Sequence, residues 1–200
     1  MTKKNKSTQN AQKTFVFEPK NLEAIKKLLK QYPEDRRQSA LLPTLWLAQR
    51  QNQGWLSKEA LLSVAEILHV PFVRVFEVAS FYTMFRTKPV GRHFIQICRT
   101  TSCWLRGSDE LTDVCRNVLK TNPREVTKDG KFSYEEVECL GACCNAPMVQ
   151  INDDYYEDLK PQDLENIIDK LQNDKPVKAG SQLKRKASKA HNLDAYLKKT

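Results

Sequence analysis

The first half of the chain repeats its apolar residues at helical spacing, and capping or breaking residues bound each repeat. Asn21 is a natural N-cap for a helix whose stripe is Leu22, Ile25, Leu28 and Leu29, and Pro33 ends it. A second helix is expected from about Asp35 to Gln51, burying Leu41, Leu42, Leu45 and Ala48. Pro43 lies within it and predicts a bend or a broken first turn, because proline lacks the N–H that an interior helical position donates. Gly54 suits a C′ stop, and Ser57 then caps a third helix carrying Leu61, Leu62, Val64, Ala65 and Leu68. Pro71 is placed for the first turn of a fourth, through Phe72, Val73, Phe76 and Ala79. Four short amphipathic helices predict a small helical bundle. The aromatic group Phe81, Tyr82 and Phe85 is expected to pack in its core.

The period changes after Pro89-Val90-Gly91. In H-F-I-Q-I-C, Ile95 and Ile97 alternate with other residues, as a strand requires. Helical spacing returns from about Ser108 with Leu111, Val114, Cys115, Val118 and Leu119. Asp129-Gly130 is a hairpin-type turn into F-S-Y-E-E-V-E, read as a strand on an imperfect alternation of Phe132, Tyr134 and Glu136. P-M-V-Q-I-N is a further strand, and Asn152-Asp153-Asp154 turns into a short last one at Tyr155-Tyr156. A helix from about Pro161 to Leu171 buries Leu164, Ile167, Ile168 and Leu171. This order of elements is that of a thioredoxin-type α/β domain, and it also fits other α+β layers. The chain shows no internal repeat.

Composition bounds the class. With 40% hydrophobic and 28% charged residues, and no apolar run of membrane-spanning length, a water-soluble globular protein is expected. The net charge of +9 sits at the ends: residues 1–13 hold four lysines and no acid, and residues 175–200 hold eight Lys or Arg against Asp194. These tails carry +4 and +7, leaving −2 on residues 14–174. Such runs are read as solvated, disordered tails, and nothing aromatic or glycine-rich beside them indicates a nucleic-acid partner. The start M-T-K-K-N-K lacks the apolar core of a secretory signal, so a reducing compartment is expected, where clustered cysteines favour metal over disulfide.

Five of the six cysteines lie at the two ends of one stretch, Cys98 and Cys103 first, then Cys139, Cys143 and Cys144. Thiolates in converging pairs are ligands for zinc or iron–sulfur clusters. Zinc knuckles favour C-x2-C, whereas the gaps here are four and three residues. A thiol–disulfide oxidoreductase needs C-x-x-C, which the chain lacks. Wide pairs suit an elongated [2Fe–2S] cluster better than one ion, although the gaps differ from the plant-type ferredoxin pattern. Cys115 lies on an apolar stripe and is expected in the core. His69, His93 and His191 stand at no ligand spacing to the cysteines. No nucleotide-binding glycine motif or catalytic triad appears.

The segments F-Y-T-M-F (81–85), P-V-G (89–91), I-C-R-T-T-S-C-W-L-R-G-S (97–108) and E-C-L-G-A-C-C-N-A-P-M-V-Q-I-N-D-D-Y-Y (138–156) closely resemble the E-subunit family of bacterial NADH–quinone oxidoreductase. This is the counterpart of the mitochondrial complex I 24 kDa flavoprotein subunit. The resemblance covers roughly residues 15–173. It implies an α+β chain, a helical N-terminal domain at 15–86 followed by a thioredoxin-like [2Fe–2S] ferredoxin domain at 87–174; the basic tails at 1–14 and 175–200 lie outside it and are expected to be disordered from their composition. It implies Cys98, Cys103, Cys139 and Cys143 as ligands of one [2Fe–2S] cluster, and departs at Cys144, where the family commonly has another residue. The implied partners are the flavoprotein subunit, which supplies FMN and the NADH site, and other peripheral-arm subunits of complex I. The implied role is one-electron exchange with that flavin, with no substrate site in this chain and no membrane insertion. The expected location is peripheral, at the cytoplasmic face of the inner membrane, or on the matrix side in a eukaryote. The alternatives are a diaphorase subunit of an NAD-linked hydrogenase or formate dehydrogenase, and a structural zinc module. Backbone N–H groups near the thiols are expected to offset cluster charge, Arg99 and Arg106 either to do the same or to be surface residues, Gly141 to permit the turn that returns Cys143, and Cys144 to pack as a small apolar residue.

Overall fold

The computed structural model describes residues 14–186. They form two compact units, one ending at Pro89 and the other beginning at Val90. The first contains helices α1 (Pro19–Leu29), α2 (Leu41–Gln51), α3 (Lys58–Leu68) and α4 (Phe72–Phe81), with a 3-10 segment at Glu34–Ala40. Helix α1 begins two residues before the expected Asn21 cap, at Pro19, whose fixed φ suits the first helical position. Asn21 instead donates to Gln51 Oε1 at 2.8 Å, and the same oxygen accepts the Glu18 N–H at 3.0 Å. The helix expected from Asp35 is broken. Arg36 leaves helical geometry, and α2 starts at Leu41, so Pro43 falls in its first turn, where a missing N–H costs little. Past Gln51 the chain turns through Gln53 and Gly54, both at positive φ, and the Gly54 N–H closes on the Gln49 carbonyl at 2.8 Å. Ser57 Oγ accepts from the Ala60 N–H at 3.2 Å, capping α3 as expected.

The core of this unit gathers Ile25, Leu45, Ala48, Leu56, Val64, Leu68, Val75, Ala79 and Phe85. Buried Gln49 latches the return of the chain, donating to the Met84 carbonyl and accepting from the Arg86 N–H. Several apolar residues expected inside are outside. Leu62, Val73 and Phe76 are exposed, Tyr82 is just over a third exposed, and Phe81 is 78% exposed. Only Phe85 of the aromatic group is buried, because α4 turns Val75 and Ala79 to the core. Leu42 is half-buried.

The second unit is a mixed five-stranded sheet in the order β2-β1-β3-β4-β5. Its strands are β1 (His93–Cys98), β2 (Phe132–Val137), β3 (Val149–Ile151), β4 (Asp154–Glu157) and β5 (Gly180–Ser181). Strand β1 pairs in parallel with β2, Ile95 opposite Tyr134, and antiparallel with β3, Ile97 opposite Val149. Helices α6 (Ser108–Leu119) and α7 (Pro161–Gln172) share a core with the Ile95 and Ile97 side of the sheet through Leu111, Cys115, Leu164 and Ile168. Val118, placed on this stripe by spacing, is 44% exposed. Gly91 enters the sheet where a Cβ would stand 2.2 Å from the Phe132 carbonyl carbon, so any side chain would separate β1 from β2.

Successive side chains of a strand face opposite ways, so Cys98 points away from α6 and α7. It packs instead in a separate apolar cluster with Cys103, Ala142, Ala146 and Met148. That places Cys98 at the C-terminal end of a central strand, on the side away from the α6 and α7 core.

Two elements lie outside the sequence reading: the five-residue helix α5 (Thr101–Leu105) and strand β5. Strand β5 corrects the expected tail at 175–200, since Gly180 and Ser181 pair in parallel with Tyr156 and Glu157, and Val177 packs on the core. The expectations for residues 1–13 and for 187–200 lie outside the described residues.

Candidate metal centre

Cys98 ends β1 and Cys103 lies inside α5, and each is 1% exposed. The α5 turn brings Cys103 back over the strand end, so the first pair is set by a sheet and a helix. Cys139 follows β2 and Cys143 opens a 3-10 turn at Cys143–Asn145; both are exposed. Their sulfurs stand 3.4 Å apart. Gly141 between them has φ +82°, and its N–H donates to Cys139 Sγ at 3.4 Å. A Cβ there would meet nothing within 4 Å, so the glycine is required by its backbone conformation rather than by space.

The pairs touch one another. Cys98 Sγ lies 3.3 Å from Thr100 Oγ1, and it also takes the Leu140 N–H and a hydrogen bond with Cys103. Cys139 bonds to the Thr100 hydroxyl and to Cys98, and Cys143 bonds to Ser102. Tyr155 Oη holds the Leu140 carbonyl at 2.7 Å, which pins the loop that supplies the N–H to Cys98.

Each pair divides its acidity unequally. Burial pushes the Cys98 thiol up, but hydrogen bonds from Thr100, Leu140 and Cys103 outweigh it and leave the thiol below its ordinary range. Cys103 is pushed up to about 12, by burial and then by its bond to Cys98. Cys139 is lowered, first by the Gly141 N–H and then by Cys143. Cys143 is raised by the hydrogen bond and charge of Cys139. Within each pair the proton therefore leaves Cys98 and Cys139 more readily than Cys103 and Cys143, and a cation bound there would expel the protons that remain.

The other expected contributors divide. The Arg99 guanidinium is taken by Asp109 at 2.7 Å and Glu136 at 2.6 Å, so its charge is largely balanced. The Arg106 side chain is exposed. Cys144 is exposed rather than packed, because the 3-10 turn that presents Cys143 turns its neighbour outward; its carbonyl accepts from Arg185 Nη2 at 3.1 Å. Cys115 is fully buried in α6, as expected, and burial pushes its thiol up to about 12. His69 adopts the left-handed C-cap of α3, His93 opens β1 at the end opposite Cys98, and His191 lies outside the described residues. Thr100 was within reach of sequence reasoning, as a hydroxyl beside Cys98 in C-R-T-T-S-C. Tyr155, Asn145 and Arg185 left no local signal.

The donor set suits a soft metal group. Among the described residues, no group of three or more His, Cys, Asp and Glu side chains is arranged around a single ion. Two thiol pairs side by side, with peptide N–H groups directed at sulfur, fit a [2Fe–2S] cluster, in which each of two irons takes two thiolates.

Comparison with known proteins agrees. The family model of thioredoxin-like [2Fe–2S] ferredoxins matches residues 25–172. The E subunit of NADH-quinone oxidoreductase from Rickettsia bellii is 58% identical over 160 residues, covering 80% of this chain and 96% of that protein. The mitochondrial NADH dehydrogenase [ubiquinone] flavoprotein 2 of Dictyostelium discoideum is 49% identical over 179 residues, covering 90% of this chain and 72% of that one. A chain of the NAD+-reducing [NiFe]-hydrogenase in the air-oxidized state shares the fold, with a TM-score of 0.63 at 23% identity over 82% of this chain. This chain spans only 30% of that hydrogenase chain. With a family model covering most of the sequence and relatives of this identity along most of their length, the chain belongs to the thioredoxin-like [2Fe–2S] ferredoxin family and groups with the E subunits of NADH–quinone oxidoreductase.

Proposed function

We propose that this chain is the [2Fe–2S] electron-carrying subunit of an NADH–quinone oxidoreductase, with Cys98, Cys103, Cys139 and Cys143 as the cluster ligands. The observation that carries the reading is the meeting of the two distant thiol pairs, with Cys139 and Cys143 3.4 Å apart, Cys98 and Cys103 packed in one cluster with Ala142 of the Cys139–Cys143 loop, and Cys98 interacting electrostatically with Cys139. When bound, the cluster supplies a one-electron carrier to a partner flavoprotein subunit that holds FMN and oxidises NADH. The chain's own residues would hold it through four thiolates, direct the Leu140 and Gly141 N–H groups at sulfur, and wall one side with Ala142, Ala146 and Met148. Those donors ease the accumulation of negative charge, and the exposed Cys139–Cys143 side is the natural face for electron exchange.

Residues 15–86 contain no cysteine and expose Val73, Phe76 and Phe81, which supports a docking role for a helical N-terminal domain, with the ferredoxin domain at 87–174. No helix of the described residues is long and apolar enough to cross a membrane. We place the subunit peripherally, on the cytoplasmic face of the inner membrane or the matrix side in a eukaryote. The test is iron, acid-labile sulfide and paramagnetic resonance on the purified full chain. About two irons and two sulfides, with a reduced-state [2Fe–2S] signal, are expected. A colourless protein with one zinc would overturn the reading.

A further inference from the structure

The segment that follows α7 returns to the metal centre. Strand β5 lies beside β4, and the Gln182 N–H extends the pairing to the Glu157 carbonyl at 2.9 Å. Beyond it the chain is tied to the loop that carries Cys143. Asp158 is a buried carboxylate, its side chain 1% exposed, and both of its oxygens are occupied from this segment: Ser181 Oγ donates to one at 2.5 Å and Arg185 Nη1 to the other at 2.8 Å. The second arm of the same guanidinium, Nη2, donates to the Cys144 carbonyl at 3.1 Å. Asn145, 2% exposed, divides its amide between Glu157 Oε2 at 2.7 Å and the Lys186 carbonyl at 2.9 Å.

We infer that residues 180–186 are a strap that positions the Cys143 side of the cluster site, with Arg185 and Asp158 as its positioning residues. The inference rests on the cluster reading given above. Arg185 meets Asp158 and Cys144 with two donors from one rigid plane, a geometry that lysine cannot reproduce. Removing the guanidinium takes a donor from the Cys144 carbonyl and leaves the Asp158 carboxylate buried without its cation. The turn presenting Cys143 then loses its outer tether, while Cys98 and Cys103, held by β1 and α5, are untouched.

The test uses the full chain with its cluster, as wild type, Arg185→Ala and Arg185→Lys. Loss of visible absorbance is followed under an iron chelator, and the reduced-state resonance spectrum is recorded. Groups that orient metal ligands typically alter metal retention about 10-fold or more. Bleaching about 10-fold faster is expected for Arg185→Ala, with an altered resonance line shape. Arg185→Lys, which keeps the charge and the fold, should fall between. If both variants bleach at the wild-type rate with an unchanged spectrum, the strap has no positioning role. If Arg185→Ala does not fold, a wild-type rate and spectrum for Arg185→Lys overturn the inference equally. A wild-type chain without iron and sulfide overturns the cluster reading, and the strap's role with it.

Discussion

The two thiol pairs reach the same place from opposite kinds of structure. Cys98 and Cys103 are 1% exposed, one ending a central strand and one inside a helix. Cys139 and Cys143 are exposed in a loop shaped by Gly141 and a 3-10 turn. The first pair inherits its position from the sheet, whose pairing and core resist displacement. The second depends on a few hydrogen bonds, from Gly141, Tyr155, Asn145 and Arg185. A site built this way has a fixed wall and an adjustable one. The adjustable wall is where iron can enter and where an electron partner can approach.

The largest effect expected from this asymmetry lies in Cys→Ser substitutions. Serine's shorter bond to its ligand atom must be absorbed by backbone movement, which the buried pair does not permit. Cys98→Ser and Cys103→Ser should therefore lose the cluster altogether, read as iron per chain and visible absorbance. Cys139→Ser and Cys143→Ser should assemble a labile one, because the loop can follow the oxygen. Cys144→Ala should keep both absorbance and resonance signal. Were Cys143→Ala to keep its cluster and Cys144→Ala to lose it, Cys144 would be the ligand.

The same contrast should appear without metal. The thiolate is the reacting form, so alkylation tracks both acidity and access. Cys139 is exposed and lowered by the Gly141 N–H; Cys103 is buried and pushed up to about 12. In the cluster-free chain near pH 8, mass spectrometry should find Cys139 labelled first and Cys103 more than about 100-fold more slowly, consistent with a thiol that ionises only well above that pH. Raising the pH toward 12 should narrow the gap, since Cys139 ionises first and Cys103 gains its thiolate only at the upper end of that range. Equal labelling at pH 8 would mean that the two walls do not differ.

A smaller effect is expected at Gly141. Its φ of +82° is costly for any residue with a Cβ, by about 1–2 kcal/mol, although the added methyl meets no atom. Gly141→Ala should lower stability by about that amount and quicken cluster loss, while leaving labelling of Cys103 in the cluster-free chain unchanged. Thermal unfolding and chelator bleaching together check it.

How much of this was legible in the sequence follows from the range of each interaction. Ile95 and Ile97, Leu111 and Cys115, and Leu164, Ile167 and Ile168 announced their elements because local period reflects burial on one face. Phe81 misled because an aromatic residue records hydrophobicity and not which way a helix end turns it. Helix α5 is too short to show a period, and β5 is held by backbone pairing that no side-chain pattern encodes. Around the thiols, the spacing of the cysteines marked the place. The bonds that shape the outer loop join residues far apart in the chain, Tyr155 to Leu140 and Arg185 to Asp158, and only the folded sheet brings them together.

The smallest effect expected is the most specific. Tyr155 stands on β4 and spends its hydroxyl on the Leu140 carbonyl at 2.7 Å, while the Leu140 N–H points at Cys98 Sγ. The phenol thus links the adjustable loop to the fixed pair. Tyr155→Phe keeps the ring and removes one hydrogen bond, a loss of about 1 kcal/mol. Stability and iron content should change little. The Leu140 N–H, no longer held from behind, should donate less well to sulfur, and hydrogen bonds to sulfur raise the reduction potential of a cluster by easing its added negative charge. The midpoint potential of Tyr155→Phe should therefore fall, by a few tens of millivolts at most, since about 59 mV for one electron is a tenfold change in equilibrium and only part of one hydrogen bond is lost at sulfur. Redox titration followed by paramagnetic resonance measures it. An unchanged or higher potential would mean that the loop keeps its N–H in place without the tyrosine, and that the two walls are set independently.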